Sequence, residues 1–347
     1  MKMFQKSLIA SVIVTASLSV QAATWEVLPT EPPIPADNPQ TEAKVLLGKT
    51  LFFDPRLSKN GTISCNSCHN VMAGGDDNRP NSVGVNDQRG GRGAPTVWNA
   101  AFLSVQFWDG RAPTLEEQAK GPVTNPIEMG MPDWDSVMKR LAQVAGYKPL
   151  FEAAFGKENS MTADNVAKAI AAYERTLITP NSAYDRYAKG NEKALTEQEL
   201  KGLNTFAEVG CTACHSGSNF SGPTQKMGTG FFMKFPLMPG SEYDAKYDLL
   251  KDEGRYEVTK SDADKNLWRV PTLRNVALTA PYFHNGQVTT LSEAVKVMGK
   301  TQLGKDLTDD QVTNIVAFLN ALTGEFPEQT MPRLPSTPNM TTIPLVE

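Results

Sequence analysis

A mostly α-helical fold of two related domains, joined by long loops, is predicted by three features of the sequence. Its strong local signals are helical, one 23-residue segment recurs without a gap, and each copy lies near the same five-residue cysteine motif. Thr114-x-x-Glu117, Thr196-x-x-Glu199, Thr290-x-x-Glu293 and Thr308-x-x-Gln311 are capping-box patterns, each expected to open a helix. Val137, Leu141 and Val144 recur at helical spacing, as do Val166, Ile170 and Tyr173. No segment shows sustained strand-type alternation. Gly- and Pro-rich stretches at 74–93 and 217–240 read as long loops, and a Pro-rich tail follows Phe326.

The repeat pairs residues 95–117, PTVWNAAFLSVQFWDGRAPTLEE, with 271–293, PTLRNVALTAPYFHNGQVTTLSE, at a constant shift of 176 with nine of 23 positions identical. Gly48-x-x-x-Phe52 before the first cysteine motif is echoed by Gly202-x-x-x-Phe206 before the second. A duplicated domain accounts for both echoes. The first 22 residues read as a secretory signal: Lys2 and Lys6, an apolar stretch over 8–20, and the small-residue site Val20-Gln21-Ala22. That stretch is too short to be kept as a spanning helix, so an exported, periplasmic protein with no membrane span is expected. The remainder, about 325 residues, suffices for two ordinary domains. The expected division is a signal at 1–22, domains at 23–180 and 181–330, and a tail at 331–347. With 40% hydrophobic and 21% charged residues the chain is globular, and a net charge of −4 with interspersed signs gives no basic field for nucleic acid or anionic lipid.

Export makes four cysteines suggest two disulfides. Their spacing argues otherwise. Cys65-Asn66-Ser67-Cys68-His69 and Cys211-Thr212-Ala213-Cys214-His215 use every cysteine, and C-x-x-C-H is the attachment pattern for c-type haem. The thiols form thioethers to the haem vinyl groups, and the histidine ligates iron. One copy alone could be a redox dithiol or half a zinc site. Two copies in an exported chain point to two covalently bound haem c groups in two cytochrome c-like domains.

The repeat also makes the haems unequal. After the shared segment the second copy carries Met298, where the first carries Pro122. Methionine opposite histidine gives saturated, raised-potential iron, whereas proline offers no ligand. A lone methionine on an amphipathic helix is more commonly core filler, so residue type leaves this choice open. Of three histidines, His69 and His215 are proximal candidates and His284 falls in the second copy, opposite Trp108. No histidine remains to close the first iron, which is expected to be open, or closed only by water or a weak ligand, and an open ferric haem can bind peroxide.

By these residues the chain resembles the bacterial dihaem cytochrome c peroxidases over most of its mature length. The likeness rests on CNSCHN, GAPTVWNAAF, FWDGRAPTLEEQAKGP, IEM, CTACH, TAPYFHNG and VMG, in that order. It implies reduction of hydrogen peroxide with electrons from a small cytochrome c or cupredoxin, entering at the Met298-ligated haem and crossing to the first. It also implies that Trp108 lies between the haems, that Glu128 is the distal carboxylate and that Gln118 is the amide beside it. Residue type alone would also allow a core aromatic and two solvated helix residues. A homodimer is a further expectation.

Two departures stand out. Many members hold a distal histidine where this chain has Val85, so activity without prior reduction is expected. Members also bind calcium through an asparagine and two carbonyls; the carbonyls correspond to Thr279 and Pro281, but the asparagine position is Gly93. Calcium would then need other oxygens. Two competing readings are a related dihaem oxidase that modifies tryptophans on a partner protein and a plain dihaem electron-transfer cytochrome. The first has tyrosine where Met298 stands, and the second needs both irons saturated.

Overall fold

The computed structural model describes residues 26–343, so the expected signal peptide at 1–22 and the last residues of the tail lie outside it. The first half is helical: α1 (Glu42–Phe52), α2 (Cys65–Cys68), α3 (Leu115–Thr124), α4 (Trp134–Ala142), α5 (Tyr147–Phe155) and α6 (Ala163–Glu174). The second contains α7 (Ala183–Ala188), α8 (Glu197–Val209), α9 (Glu242–Lys246), α10 (Tyr256–Thr259), α11 (Leu291–Leu303) and α12 (Asp309–Ala321). A two-stranded antiparallel ribbon, β1 (Phe232–Lys234) with β2 (Leu267–Arg269), is the difference from the expected strand-free pattern. Strands of three residues are too short to show alternation. Among the described residues no helix is long and apolar enough to cross a membrane.

All four threonine patterns open helices, with Thr114, Thr196, Thr290 and Thr308 each accepting from the backbone N–H three residues on. Only Thr196 and Thr308 complete the reciprocal box. Glu117 instead pairs with Lys120, and Glu293 with Lys246 and Tyr247, because nearer cationic and hydroxyl donors compete for those carboxylates.

Each half is built on one close helix crossing. A methyl added to Gly48 of α1 would overlap the Ala169 carbonyl oxygen of α6, and one added to Gly202 of α8 would overlap that of Asn314 of α12. Phe52 then packs edge-on to Tyr173, and Phe206 against Phe318. Leu47, Leu51 and Ile170 extend the first core, and Leu203, Ile315 and Leu322 the second.

The halves meet at two buried asparagines held left-handed, Asn99 (φ 63°) and Asn275 (φ 60°), a conformation asparagine tolerates because its short side chain bonds locally. Both side-chain amides donate to Thr179 Oγ1 at 2.8 Å. Segments near either end of the described residues fasten this arrangement: the Leu28 N–H donates to Asp185, Asn38 and Gln40 bond the α6 backbone, and Phe326 stacks edge-on to Trp98 at 4.8 Å. Arg56 donates to the Pro335 carbonyl, so the Pro-rich tail lies back across the first half.

Candidate haem site

The first cysteine motif forms α2, one turn long, closed by Ser67 Oγ accepting from the Ser64 N–H at 3.0 Å. His69 follows with its N–H on the Cys65 carbonyl at 2.9 Å. Its Nδ1 lies 3.0 Å from the Pro95 carbonyl oxygen. A carbonyl only accepts, so Nδ1 carries the proton and Nε2 keeps its lone pair, the state a histidine needs to bind iron. The second motif repeats the device: the Cys211–Ala213 turn follows Gly210, and His215 Nδ1 lies 3.0 Å from the Phe220 carbonyl oxygen. Burial lowers the pKa of both histidines, which keeps the rings neutral.

Burial pushes the Cys68 thiol up to about 11 and Cys211 to about 12, and raises Cys65 and Cys214 as well. Reactive dithiols have depressed values, so these environments oppose a redox C-x-x-C. Nor does any group of three or more His, Cys, Asp or Glu able to hold a metal ion occur among the described residues, as a zinc site would need.

A large apolar cavity receives Cys211, Cys214, His215 and Met298 together. Met298 comes from α11, which starts at Leu291 as α3 starts at Leu115, again 176 residues apart. The two helices diverge at their ends. α11 runs on to Leu303, whereas α3 contains Pro122, which has no N–H to continue the ladder, and stops at Thr124. Three buried polar atoms on residues lining this cavity have no hydrogen-bond partner: His284 Nε2, Trp268 Nε1 and Asp76 Oδ1. An apolar wall, two thiols, an oriented imidazole and a free indole N–H on Trp268 for an acidic substituent fit a haem.

Trp108 lines the same cavity, as does Pro95, the acceptor for His69, so the space extends from the second motif toward the first. The Trp108 indole N–H donates to the Gly93 carbonyl at 2.9 Å, and the Gly93 N–H donates to the His284 carbonyl at 2.9 Å. Thr279 and Pro281 also border the cavity. The expected calcium fits these residues less well, since Gly93 has no side-chain oxygen and its carbonyl is engaged by Trp108.

Glu128 lies just beyond α3, half-buried, with Oε1 accepting from Asn125 Nδ2 at 2.9 Å. Burial raises its pKa, while the Arg111 charge and the Asn125 bond oppose the rise. Gln118 sits half-buried one turn before Pro122, whose carbonyl accepts the Met129 N–H, so the Glu128 segment folds back on the helix that carries Gln118. Val85 is 1% exposed, and its N–H donates to the Glu128 carbonyl at 2.8 Å. The loop bearing it is therefore docked on the Glu128 segment. Sequence reasoning missed Phe107, whose ring lies 3.4 Å beneath the Arg111 guanidinium and whose φ is 66°. The repeat held the clue, because Phe283, its partner at the 176-residue shift, is also left-handed.

A model of the di-haem cytochrome c peroxidase family matches residues 42–193. The cytochrome c551 peroxidase of Pseudomonas aeruginosa is 48% identical over 307 residues, covering 88% of this chain and 86% of the relative. That of Nitrosomonas europaea is 44% identical, covering 94% and 92%. The methylamine utilization protein MauG of Methylorubrum extorquens is 35% identical, covering 88% and 86%. Among solved structures, a MauG-like protein associated with microbial copper homeostasis superposes with a TM-score of 0.74 at 30% identity, covering 86% of this chain and 95% of that one.

Proposed function

The chain belongs to the di-haem cytochrome c peroxidase family, whose reaction is reduction of hydrogen peroxide, and we propose that its two halves divide that work between an open first haem and an electron-accepting second haem. Cys65, Cys68 and His69 would hold the first group, and Cys211, Cys214, His215 and Met298 would hold the second. The halves, 23–180 and 181–330, are duplicates in this reading, supported by the matched glycine crossings and left-handed asparagines. Bound haem would supply an iron that takes up and releases single electrons.

The chain's own residues do the rest. Glu128 takes the proton from one peroxide oxygen at Oε2, the atom Asn125 leaves free, and returns it to the other as the O–O bond breaks. Gln118 orients the peroxide by a hydrogen bond. Trp108 fills the gap between the halves, where its ring can carry electrons across. Two electrons and two further protons complete two waters. The reading places the enzyme in the periplasm, with a small cytochrome c or a cupredoxin as donor.

The observation that carries this reading is the asymmetry of matched positions: Met298 enters the cavity of His215, while Pro122 and the buried Val85 offer iron no atom. Electron paramagnetic resonance of the oxidised holoprotein, at two haems per chain, tests it. One high-spin and one low-spin signal are expected; two low-spin signals would overturn it. Because Val85 has no ligating atom, fully oxidised enzyme is expected to turn over peroxide as readily as half-reduced enzyme. Activity confined to the half-reduced form would sink that expectation. Met298→His is expected to lower the second haem's reduction potential, since methionine opposite histidine raises it. An unchanged potential would return Met298 to core packing. Met298, where the protein-modifying relatives carry tyrosine, also favours peroxide reduction over that activity.

A further inference from the structure

We propose that Arg92 is a positioning residue that fixes Trp108 from both sides and so sets the rate at which electrons cross between the halves. The proposal rests on the reading that Trp108 carries those electrons. Arg92 precedes Gly93, whose carbonyl receives the Trp108 indole N–H. Its guanidinium also reaches Asp109, the residue after Trp108, with Nη1 to Oδ2 at 2.6 Å. The same group takes Asp252 of the second half in a two-point grip, Nε to Oδ2 at 2.7 Å and Nη2 to Oδ1 at 2.8 Å. It lies 4.8 Å above the Trp268 ring, which stacks on His284 at 4.1 Å.

One side chain thus joins the segment before the indole's acceptor, the segment after the indole, and the opposing half. Two other arginines complete the frame from the second half. The Arg269 N–H and Nε donate to the carbonyls of Trp108 and Phe107, each at 3.0 Å, and Arg255 Nη1 donates to the Asp109 carbonyl at 2.9 Å. These act on the backbone alone. Of the three arginines, Arg92 is the one that adjoins the indole's own acceptor, adding a side-chain tie to the second half beside the bond from the Gly93 N–H to the His284 carbonyl. A planar, five-donor fork can serve two carboxylates at once, which lysine cannot reproduce. Asp109 is 2% exposed, so without Arg92 it keeps only the more exposed Arg111 as a side-chain partner.

The test compares holoprotein carrying Arg92→Gln, Arg92→Lys and Trp108→Phe with the parent, all loaded with two haems. Electron passage from second haem to first is timed after flash photoreduction, both reduction potentials are measured, and amide hydrogen exchange is followed at Gly93 and Arg269. Arg92→Gln is expected to slow passage by roughly ten- to a hundredfold, as misplacing a positioned group does. Both potentials should hold, and exchange at the two amides should rise. Arg92→Lys should fall between Arg92→Gln and the parent. Passage at the parent rate in Arg92→Gln, with Trp108→Phe slow, would overturn the role of Arg92 and leave the Trp108 reading standing. Passage at the parent rate in Trp108→Phe would overturn both. A slowing fully explained by shifted potentials would also overturn the proposal. Should Arg92→Gln fail to fold, Asp252→Asn, which releases the grip on the second half, is expected to slow passage in the same direction, and parent-rate passage there would overturn it.

Discussion

Replacing Glu128 by glutamine is expected to lower kcat/KM for hydrogen peroxide by about 10²–10⁴-fold, the range that a positioned proton-transfer group supplies. Glutamine keeps the size and the acceptor for Asn125 but has no carboxylate to take a proton. Haem content and the spectrum of the second haem should not change, because Glu128 lies with Val85 and Arg111 in the first half. The pH profile gives an independent reading. Burial raises the Glu128 pKa above the usual carboxylate range, and Arg111 and Asn125 hold the rise in check. Since the ionised form accepts the proton, activity should be lost as pH falls through that raised value. Arg111→Gln removes the opposing charge and should move this acid limb to higher pH. Steady-state assays of both variants from acid to neutral pH decide the matter; an unchanged kcat/KM in Glu128→Gln would remove this carboxylate from the reaction.

What could be read from the sequence was whatever left a local mark. Thr114 and Thr290 announced the helices that bring Gln118 and Met298 to their places because capping is settled within one turn. The repeat was visible because its identical residues include positions with special backbone demands: Asn99 and Asn275 are left-handed, and so are Gly110 and Gly286. Gly48 and Gly202 were noticed only as an echo. Their reason, two helices touching carbonyl to Cα, needs both partners in view. Arg92 and Asp252 stand 160 residues apart, and no periodicity connects them. The ribbon of Phe232–Lys234 with Leu267–Arg269 and the return of the tail from Phe326 to Trp98 escaped for the same reason, being fixed by tertiary packing rather than by pattern.

Arg274→Met is expected to cost about 3–5 kcal/mol of stability, the usual penalty for stranding one member of a buried ion pair. Arg274 and Asp185 are both 0% exposed and meet in a two-point contact, Nη1 to Oδ2 and Nη2 to Oδ1, each 2.8 Å. Asp185 also accepts from the Ser182 N–H and hydroxyl and from the Leu28 N–H, so its carboxylate is fully engaged. Methionine would leave that charge buried without its cation. For a domain of this size the melting point should fall by roughly 10 °C. The pH dependence has opposite signs in parent and variant. Burial alone would raise the Asp185 pKa, but the charge and hydrogen bonds of Arg274, with the Leu28 and Ser182 bonds, outweigh it and the net direction is down. Parent stability from this group is therefore complete above the unfolded value, about 3.9, and is lost as pH falls through the lower folded one. In Arg274→Met only the Ser182 and Leu28 bonds still oppose burial, the largest influence on this group, so the folded pKa rises and stability should decline as pH rises from about 4 toward neutrality. Thermal unfolding across that window separates the two slopes; parallel curves would mean that Asp185 is not ionised in the folded parent. The loss should also reach the second haem. Arg274 donates twice to the Ser218 carbonyl, at 2.9 and 2.7 Å, and so holds the loop whose Phe220 carbonyl orients His215.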